Sequence, residues 1–270
     1  MMAAGRERLA ARLNACSAEG RLALVVYITC GYPSPEATVQ VCRALAAVGV
    51  DAIELGVPFS DPLADGPTIQ RSSALALRHG VTVRTCLEMA RQVRAEVGPE
   101  VGVLFMSYWN PLFQYGFERF LQDAAASGAD GFILPDMPLE ELCALVPLAE
   151  AEGLAIVPLL APNTPLERAR LVRHMAPPFV YVTTRLGVTG ARADLPQALR
   201  QVLAMLRPVV EAPLAVGFGI SRREHVRALW GYADAAVVGS ALLDRLGSGG
   251  DPAEAAAAFC RELLDGCTKA

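Results

Sequence analysis

Eight short runs of β-branched and aliphatic residues recur along the chain: LALVVYIT (22–29), DAIEL (51–55), VGVLFM (101–106), DGFIL (130–134), LAIVPLL (154–160), FVYVTT (179–184), PLAVGF (213–218) and AAVVG (235–239). They are near-continuously apolar rather than alternating, the pattern of strands covered on both faces. Between them, helical spacing predicts helices at about 35–48, 68–78 with 82–97, 116–127, 139–152, 165–175, 195–206, 221–230 and 251–265. Ser34-Pro35-Glu36 combines an N-cap with Pro in the first turn, and Thr164-Pro165-Leu166-Glu167 and Ser221-Arg222-Arg223-Glu224 read as capping boxes. Strands alternating with principal helices predict an α/β fold, a closed (β/α)8 TIM barrel, with an extra N-terminal helix over roughly 3–14 covering its bottom. An open doubly wound sheet is the rival, but Gly31 follows the first strand alone and no GxGxxG opens the first helix. Without a Gly/Pro-rich linker between separable halves, residues 1–270 read as one domain.

Composition removes several classes of function. A formal charge of -4 with no basic stretch argues against a nucleic-acid surface. The apolar runs are strand-length, so no transmembrane span is expected, and the N-terminal stretch lacks the apolar region of a secretory signal. Seven cysteines without a CxxC pair or nearby histidines suit a reducing cytoplasm better than a disulfide framework or a zinc site. Lys269 is the only lysine, one residue from the C-terminus, so carbon–carbon cleavage through a protein imine is excluded. His79, His174 and His225 show no ligand spacing, which makes metal catalysis and a His-based triad poor candidates.

The remaining chemistry concentrates in DAIELGVPFSDPLADGP (51–67). Glu54 falls inside an apolar strand, where an ionisable group is costly unless paired or used, and burial would keep it protonated near neutrality. A Glu held by a neighbouring backbone or hydroxyl donor is the structural alternative. Eleven residues on, Asp65 ends a compact Pro/Gly-rich loop, so the two supply an acid and a base with separable pKa values. Asp61 is the weaker candidate, because Ser60-Asp61-Pro62 also reads as a turn. Gly217 and Gly219, after the seventh strand, and Gly239-Ser240, opening a short helix over 240–246, fit a phosphate site split between the last two loops. Gly187 to Gly190 extend it from the sixth loop, with Arg185 balancing charge or fixing that loop. Tyr27, Met106, Tyr108, Ile133, Leu159, Tyr181 and Phe218, near strand ends, supply the apolar remainder, although core packing explains several equally well.

ELGVPFSDPLADGPTIQ (54–70) closely resembles the signature of the tryptophan synthase alpha-subunit family. The likeness continues through T-x-G-Y-P (29–33), MSYWNP (106–111), PDMP (135–138), PNTP (162–165), RLGVTG (185–190), GFGIS (217–221) and VVGSA (237–241), in order over nearly the whole chain. The resemblance implies reversible retro-aldol cleavage of indole-3-glycerol phosphate to indole and glyceraldehyde 3-phosphate, with Glu54 and Asp65 catalytic. It implies an indole pocket of Tyr108, Ile133, Leu159, Tyr181 and Phe218, phosphate contacts from Gly190, Gly219, Gly239 and Ser240, and Thr189 orienting Asp65. Tyr27 stands where some relatives carry phenylalanine, and Tyr32 where some carry aspartate. The resemblance further implies a beta-subunit partner in an alpha2-beta2 heterotetramer, facing Asp61 and Pro62. Pyridoxal phosphate belongs to that partner, with no cofactor or metal in this chain. A stand-alone indole-3-glycerol-phosphate lyase is the main alternative. A phosphosugar isomerase shares the split phosphate site but leaves the Glu54–Asp65 pair unexplained, and a catalytically dead binding subunit is opposed by the intact carboxylates.

Overall fold

The computed structural model describes residues 4–183, 197–217 and 219–268. Among them, nine parallel strand segments run in the order β5-β4-β3-β2-β1-β9-β8-β7-β6. They are β1 (Ala23–Thr29), β2 (Ala52–Gly56), β3 (Gly102–Met106), β4 (Gly131–Ile133), β5 (Ala155–Ile156), β6 (Leu159–Leu160), β7 (Val180–Thr183), β8 (Leu214–Gly217) and β9 (Ala235–Val238). β5 and β6 are two halves of the run expected as one strand over 154–160. Pro158 has no N–H and interrupts the ladder between them. On one side of the break Val157 N–H donates to the Phe132 carbonyl, and on the other Tyr181 N–H donates to the Pro158 carbonyl, both at 3.0 Å. One run therefore faces β4 and β7 together, and the sheet curls into a barrel whose ladder is incomplete only at this seam.

Side chains two apart share a face of a strand. Ala23, Val25, Ala52, Leu104, Ile133, Val157, Phe179, Ala215, Ala235 and Val237 pack together inside the barrel. Their sequence neighbours Leu24, Val26, Ile53, Phe105 and Phe132 belong to the larger core under the surrounding helices. Both faces are buried, which explains the near-continuous apolar runs. The helices are α1 (Gly5–Ala18), α2 (Pro35–Val48), α3 (Pro67–Arg78), α4 (Val83–Val97), α5 (Trp109–Tyr115), α6 (Phe117–Ala126), α7 (Leu139–Ala151), α8 (Leu166–Ala169), α9 (Gln197–Leu206), α10 (Arg223–Arg227), α11 (Ser240–Leu246) and α12 (Pro252–Cys267).

Several boundaries differ from expectation. Ser34 does cap α2, accepting from Ala37 N–H at 3.3 Å. Thr164 instead turns back to accept from Ala161 N–H, and Ser221 engages His225, so α8 and α10 start at other residues without a side-chain cap. The pattern over 165–175 becomes one α-helical turn followed by a 3-10 segment, Arg170–His174. α5 was not among the expected helices; its Pro111 lies in the first helical turn, where its missing N–H costs nothing.

The floor is pinned electrostatically. α1 sends Leu9, Leu13 and Cys16 into the barrel, while its Arg8 and Arg12 reach Asp130 and Asp51, each at 2.7 Å. Asp51, Asp130 and Asp234 each stand just before a strand and accept the N–H of a residue on the neighbouring strand, from Leu24, Val103 and Leu214 respectively. Burial would push the Asp51 carboxyl up, but the hydrogen bonds from Arg21 and Leu24 N–H and the Arg21 charge outweigh it and hold it below the ordinary range. Replacing Asp51 by Ala strands two guanidinium groups and a backbone donor, with an expected loss of about 3–5 kcal/mol in denaturant unfolding. Because the folded-state pKa is depressed, this contribution is complete above the ordinary carboxylate pKa of about 4 and disappears as pH falls through the folded value. The gap between wild type and variant therefore closes in acid.

Candidate active site

Glu54 lies in β2, in register with Tyr27 of β1 and Leu104 of β3. The two-residue period places it on the inward face with Ala52, one layer nearer the C-terminal mouth. Only 1% of it is exposed, and its Oε1 finds no hydrogen-bond partner among the described residues. Burial pushes its pKa up to about 8, so it carries a proton at neutrality. The alternative of a glutamate neutralised by a structural donor thus has no support at Oε1.

Glu54 opens into a cavity of about 160 Å³ with Tyr27, Tyr181, Gly217, Gly219, Gly239 and Ser240 in its wall. Asp65 opens into a neighbouring cavity of about 530 Å³ that Leu159 also lines. Ile69, Met106 and Tyr181 line both, so the two are parts of one hollow at the strand mouths. The loop that brings Asp65 here is folded by short local bonds: Leu63 N–H donates to the Asp61 carbonyl and Asp65 N–H to the Pro62 carbonyl. The Gln70 side chain of α3 donates to the Asp65 carbonyl at 2.9 Å. Ala64 N–H donates to the Tyr108 hydroxyl at 2.9 Å. Burial raises the Asp65 carboxyl to about 6, partly offset by a hydrogen bond from Tyr108. Near pH 7 the site therefore holds one protonated and one ionised carboxyl, an acid and an anion in different environments. Burial, with the charges of Glu54 and Asp65, raises the pKa of Tyr181 and keeps it a neutral donor.

The glycines fit a backbone that must pass close to other groups. A Cβ on Gly217 would stand 2.7 Å from the Tyr181 hydroxyl, and one on Gly239 would lie 3.3 Å from Tyr27 Cβ. Gly219 has φ +84°, a conformation that L side chains rarely adopt. Gly239 immediately precedes α11, so Ser240 begins that helix at the edge of the cavity.

The site residues foreseen from sequence are thus divided. Tyr27, Tyr181, Gly217, Gly219, Gly239 and Ser240 gather around Glu54, Leu159 joins Asp65, and Tyr108 stands behind the Asp65 loop. Ile133 is completely buried in the inner core, and Met106 and Leu159 form the cavity wall beside it. Asp61 and Pro62 lie on the rim, Asp61 exposed, next to Leu63, which is 91% exposed. Arg185, Gly187, Thr189, Gly190 and Phe218 lie outside the described residues. Ile69 was missed: it is an apolar residue in the first turn of α3, and its place between the two lobes depends on how that helix docks. Among the described residues, no cluster of three or more His, Cys, Asp or Glu side chains is arranged to hold a metal, and no helix is long and apolar enough to cross a membrane.

A parallel barrel with a buried acid at a strand end and glycine loops beside it has the build of an α/β-barrel enzyme. The family model described as tryptophan synthase alpha chain matches residues 13–268, and the chain belongs to that lyase family. The chain is 44% identical over 247 residues to the tryptophan synthase alpha chain of Chloroflexus aggregans, covering 91% of this chain and 92% of that one. It is 43% identical over 251 residues to the tryptophan synthase of Saccharomyces cerevisiae, covering 92% of this chain but 35% of that longer protein. A Mycobacterium tuberculosis tryptophan synthase structure superposes with a TM-score of 0.89 at 35% identity, covering 100% of both chains. The tryptophan synthase alpha chain of Legionella pneumophila gives 0.87 at 32% identity, covering 96% of this chain and 97% of that one.

Proposed function

We propose that this chain, as one (β/α)8-barrel domain over residues 1–270, cleaves indole-3-glycerol phosphate reversibly to indole and glyceraldehyde 3-phosphate. The observation that carries this reading is the buried Glu54, whose Oε1 finds no partner among the described residues, opening with Asp65 into one hollow. Burial raises the pKa of both carboxyls, that of Glu54 further. Glu54 gives its proton to indole C3, which dearomatises the pyrrole ring and leaves a cation. Asp65 accepts a hydrogen bond from N1–H and stabilises that charge. The Glu54 carboxylate then takes the 3′-hydroxyl proton. As the aldehyde forms, the C3–C3′ bond breaks, its electron pair restores the aromatic ring, and Glu54 is protonated again. Tyr27, Tyr181 and Leu159 enclose the indole. Backbone N–H groups around Gly217, Gly219, Gly239 and Ser240 receive the phosphate, the arrangement common after the last two strands of such barrels. Thr189, Gly190 and Phe218 complete the site from the segments after β7 and β8, in line with the family resemblance.

The chain acts as the alpha subunit of a cytoplasmic tryptophan synthase, in an alpha2-beta2 assembly whose beta subunit carries the pyridoxal phosphate and consumes the indole. The exposed rim at Asp61 to Leu63 supports a partner at the mouth, and the much longer yeast relative supports a chain that is one part of a larger activity. Indole release by the purified chain, with and without beta subunit, tests both levels. Weak turnover strongly enhanced by the partner is expected. High turnover by the chain alone would make it a stand-alone lyase, and no indole at all would end the reading.

A further inference from the structure

Tyr27 does more in this structure than wall the hollow. Its hydroxyl lies 3.3 Å from Thr29 Oγ1, which lies 2.7 Å from Ser72 Oγ in α3, and Ser72 donates to the Ile69 carbonyl at 2.8 Å. Each hydroxyl has one proton. That of Ser72 is committed to Ile69, so Thr29 donates to Ser72 and Tyr27 donates to Thr29, a chain running one way from the hollow into α3. All three side chains are buried, at 6%, 0% and 1% exposure, so water cannot replace a missing link. α3 begins at Pro67, two residues after Asp65, and Gln70 within it holds the Asp65 carbonyl. The loop's other end is braced as well: the Tyr27 hydroxyl occupies the space that a side chain on Gly56 would fill.

We propose that Tyr27, acting through Thr29 and Ser72, is a positioning residue that fixes α3 and thereby the place of Asp65 in the hollow. The proposal rests on the lyase reading above, in which Asp65 serves as the anion. A phenylalanine at position 27 keeps the wall and loses the tie, so the hydroxyl and the ring have separate roles. When the tie is cut, Asp65 swings toward water with its loop, loses the desolvation that raises its pKa, and stabilises the cation less well.

Tyr27→Phe, Thr29→Val and Ser72→Ala are each expected to lower kcat about 2- to 10-fold, the range of one net buried hydrogen bond, with KM changed less. Each is also expected to move the acid limb of the kcat profile below the wild-type position near pH 6. Ser72 lies outside the cavity wall, so a matching phenotype there separates the tie from pocket shape. The Tyr27→Phe/Ser72→Ala double variant is expected to be no worse than either single variant, and Thr29→Ser, which retains the hydroxyl, is expected to behave as wild type. Hydrogen exchange over residues 62–72, which needs no turnover, is expected to quicken in Ser72→Ala. If Ser72→Ala leaves kcat, the acid limb and exchange unchanged, or if the double variant is additive, the positioning role is wrong. If wild type releases no indole while exchange still quickens, the tie stands and the lyase reading is what fails.

Discussion

Glu54→Gln is expected to reduce indole release by roughly 10³-fold or more, since a single general acid–base role contributes about 10²–10⁴ and this residue performs two. Glutamine keeps the shape and cannot give up or take a proton at C3 or at the 3′-hydroxyl. Affinity for indole-3-glycerol phosphate, measured by equilibrium binding, is expected to change by no more than about 3-fold, because the lost interactions belong to the transition state. Near-wild-type turnover would sink the assignment. The same variant carries a stability signature. The Glu54 pKa is raised from its ordinary 4.5 to about 8 in the folded chain. Below pH 4.5 both folded and unfolded chains hold the proton and nothing is lost. Between pH 4.5 and 8 the unfolded chain releases it while the folded chain must keep it, at about 1.4 kcal/mol per pH unit as an upper slope. Above pH 8 the cost levels off. The stability of Glu54→Gln relative to wild type is therefore expected to rise steadily from pH 4.5 to 8, as read from denaturant midpoints. A pH-independent difference would mean that the acid is not buried as described.

Asp65→Asn is the second large effect. It retains an acceptor for indole N1–H but removes the negative charge opposite the developing cation, a loss of preorganised electrostatics that typically costs about 10²–10³ in kcat. The pH dependence gives the sharper result. Wild-type kcat is expected to be bell-shaped: activity falls below about pH 6 as Asp65 takes up a proton, and above about pH 8 as Glu54 loses its own. In Asp65→Asn the acid limb disappears and the alkaline limb stays. Survival of the acid limb in that variant would move the anionic role to another group.

How much of this was legible beforehand follows from the range of the interactions. The strands were readable because both their faces are buried, so apolar residues run unbroken. Glu54 was readable because it breaks such a run at a cost that only use or pairing offsets. The glycines after β8 and β9 were readable as close-approach positions by their order along the chain. Thr164 and Ser221 were misread as caps because a hydroxyl near a helix start has several local donors, and the docked loops decided among them. The floor aspartates Asp51, Asp130 and Asp234 share the position just before a strand, a recurring signal passed over because their partners Leu24, Val103 and Leu214 are 27, 27 and 20 residues away.

The sequence by itself determined the alternation of strands and helices, the carboxylates and glycines available for chemistry, and a lysine count of one, since these follow from residue type and local period. The tertiary structure alone decided that Pro158 marks the barrel's seam, that Glu54 Oε1 lacks a partner among the described residues, that Ile133 belongs to the core, and that Tyr27 is tied to α3. Burial and hydrogen-bond partnership are set by groups distant in the chain, and no local pattern specifies which of them arrive.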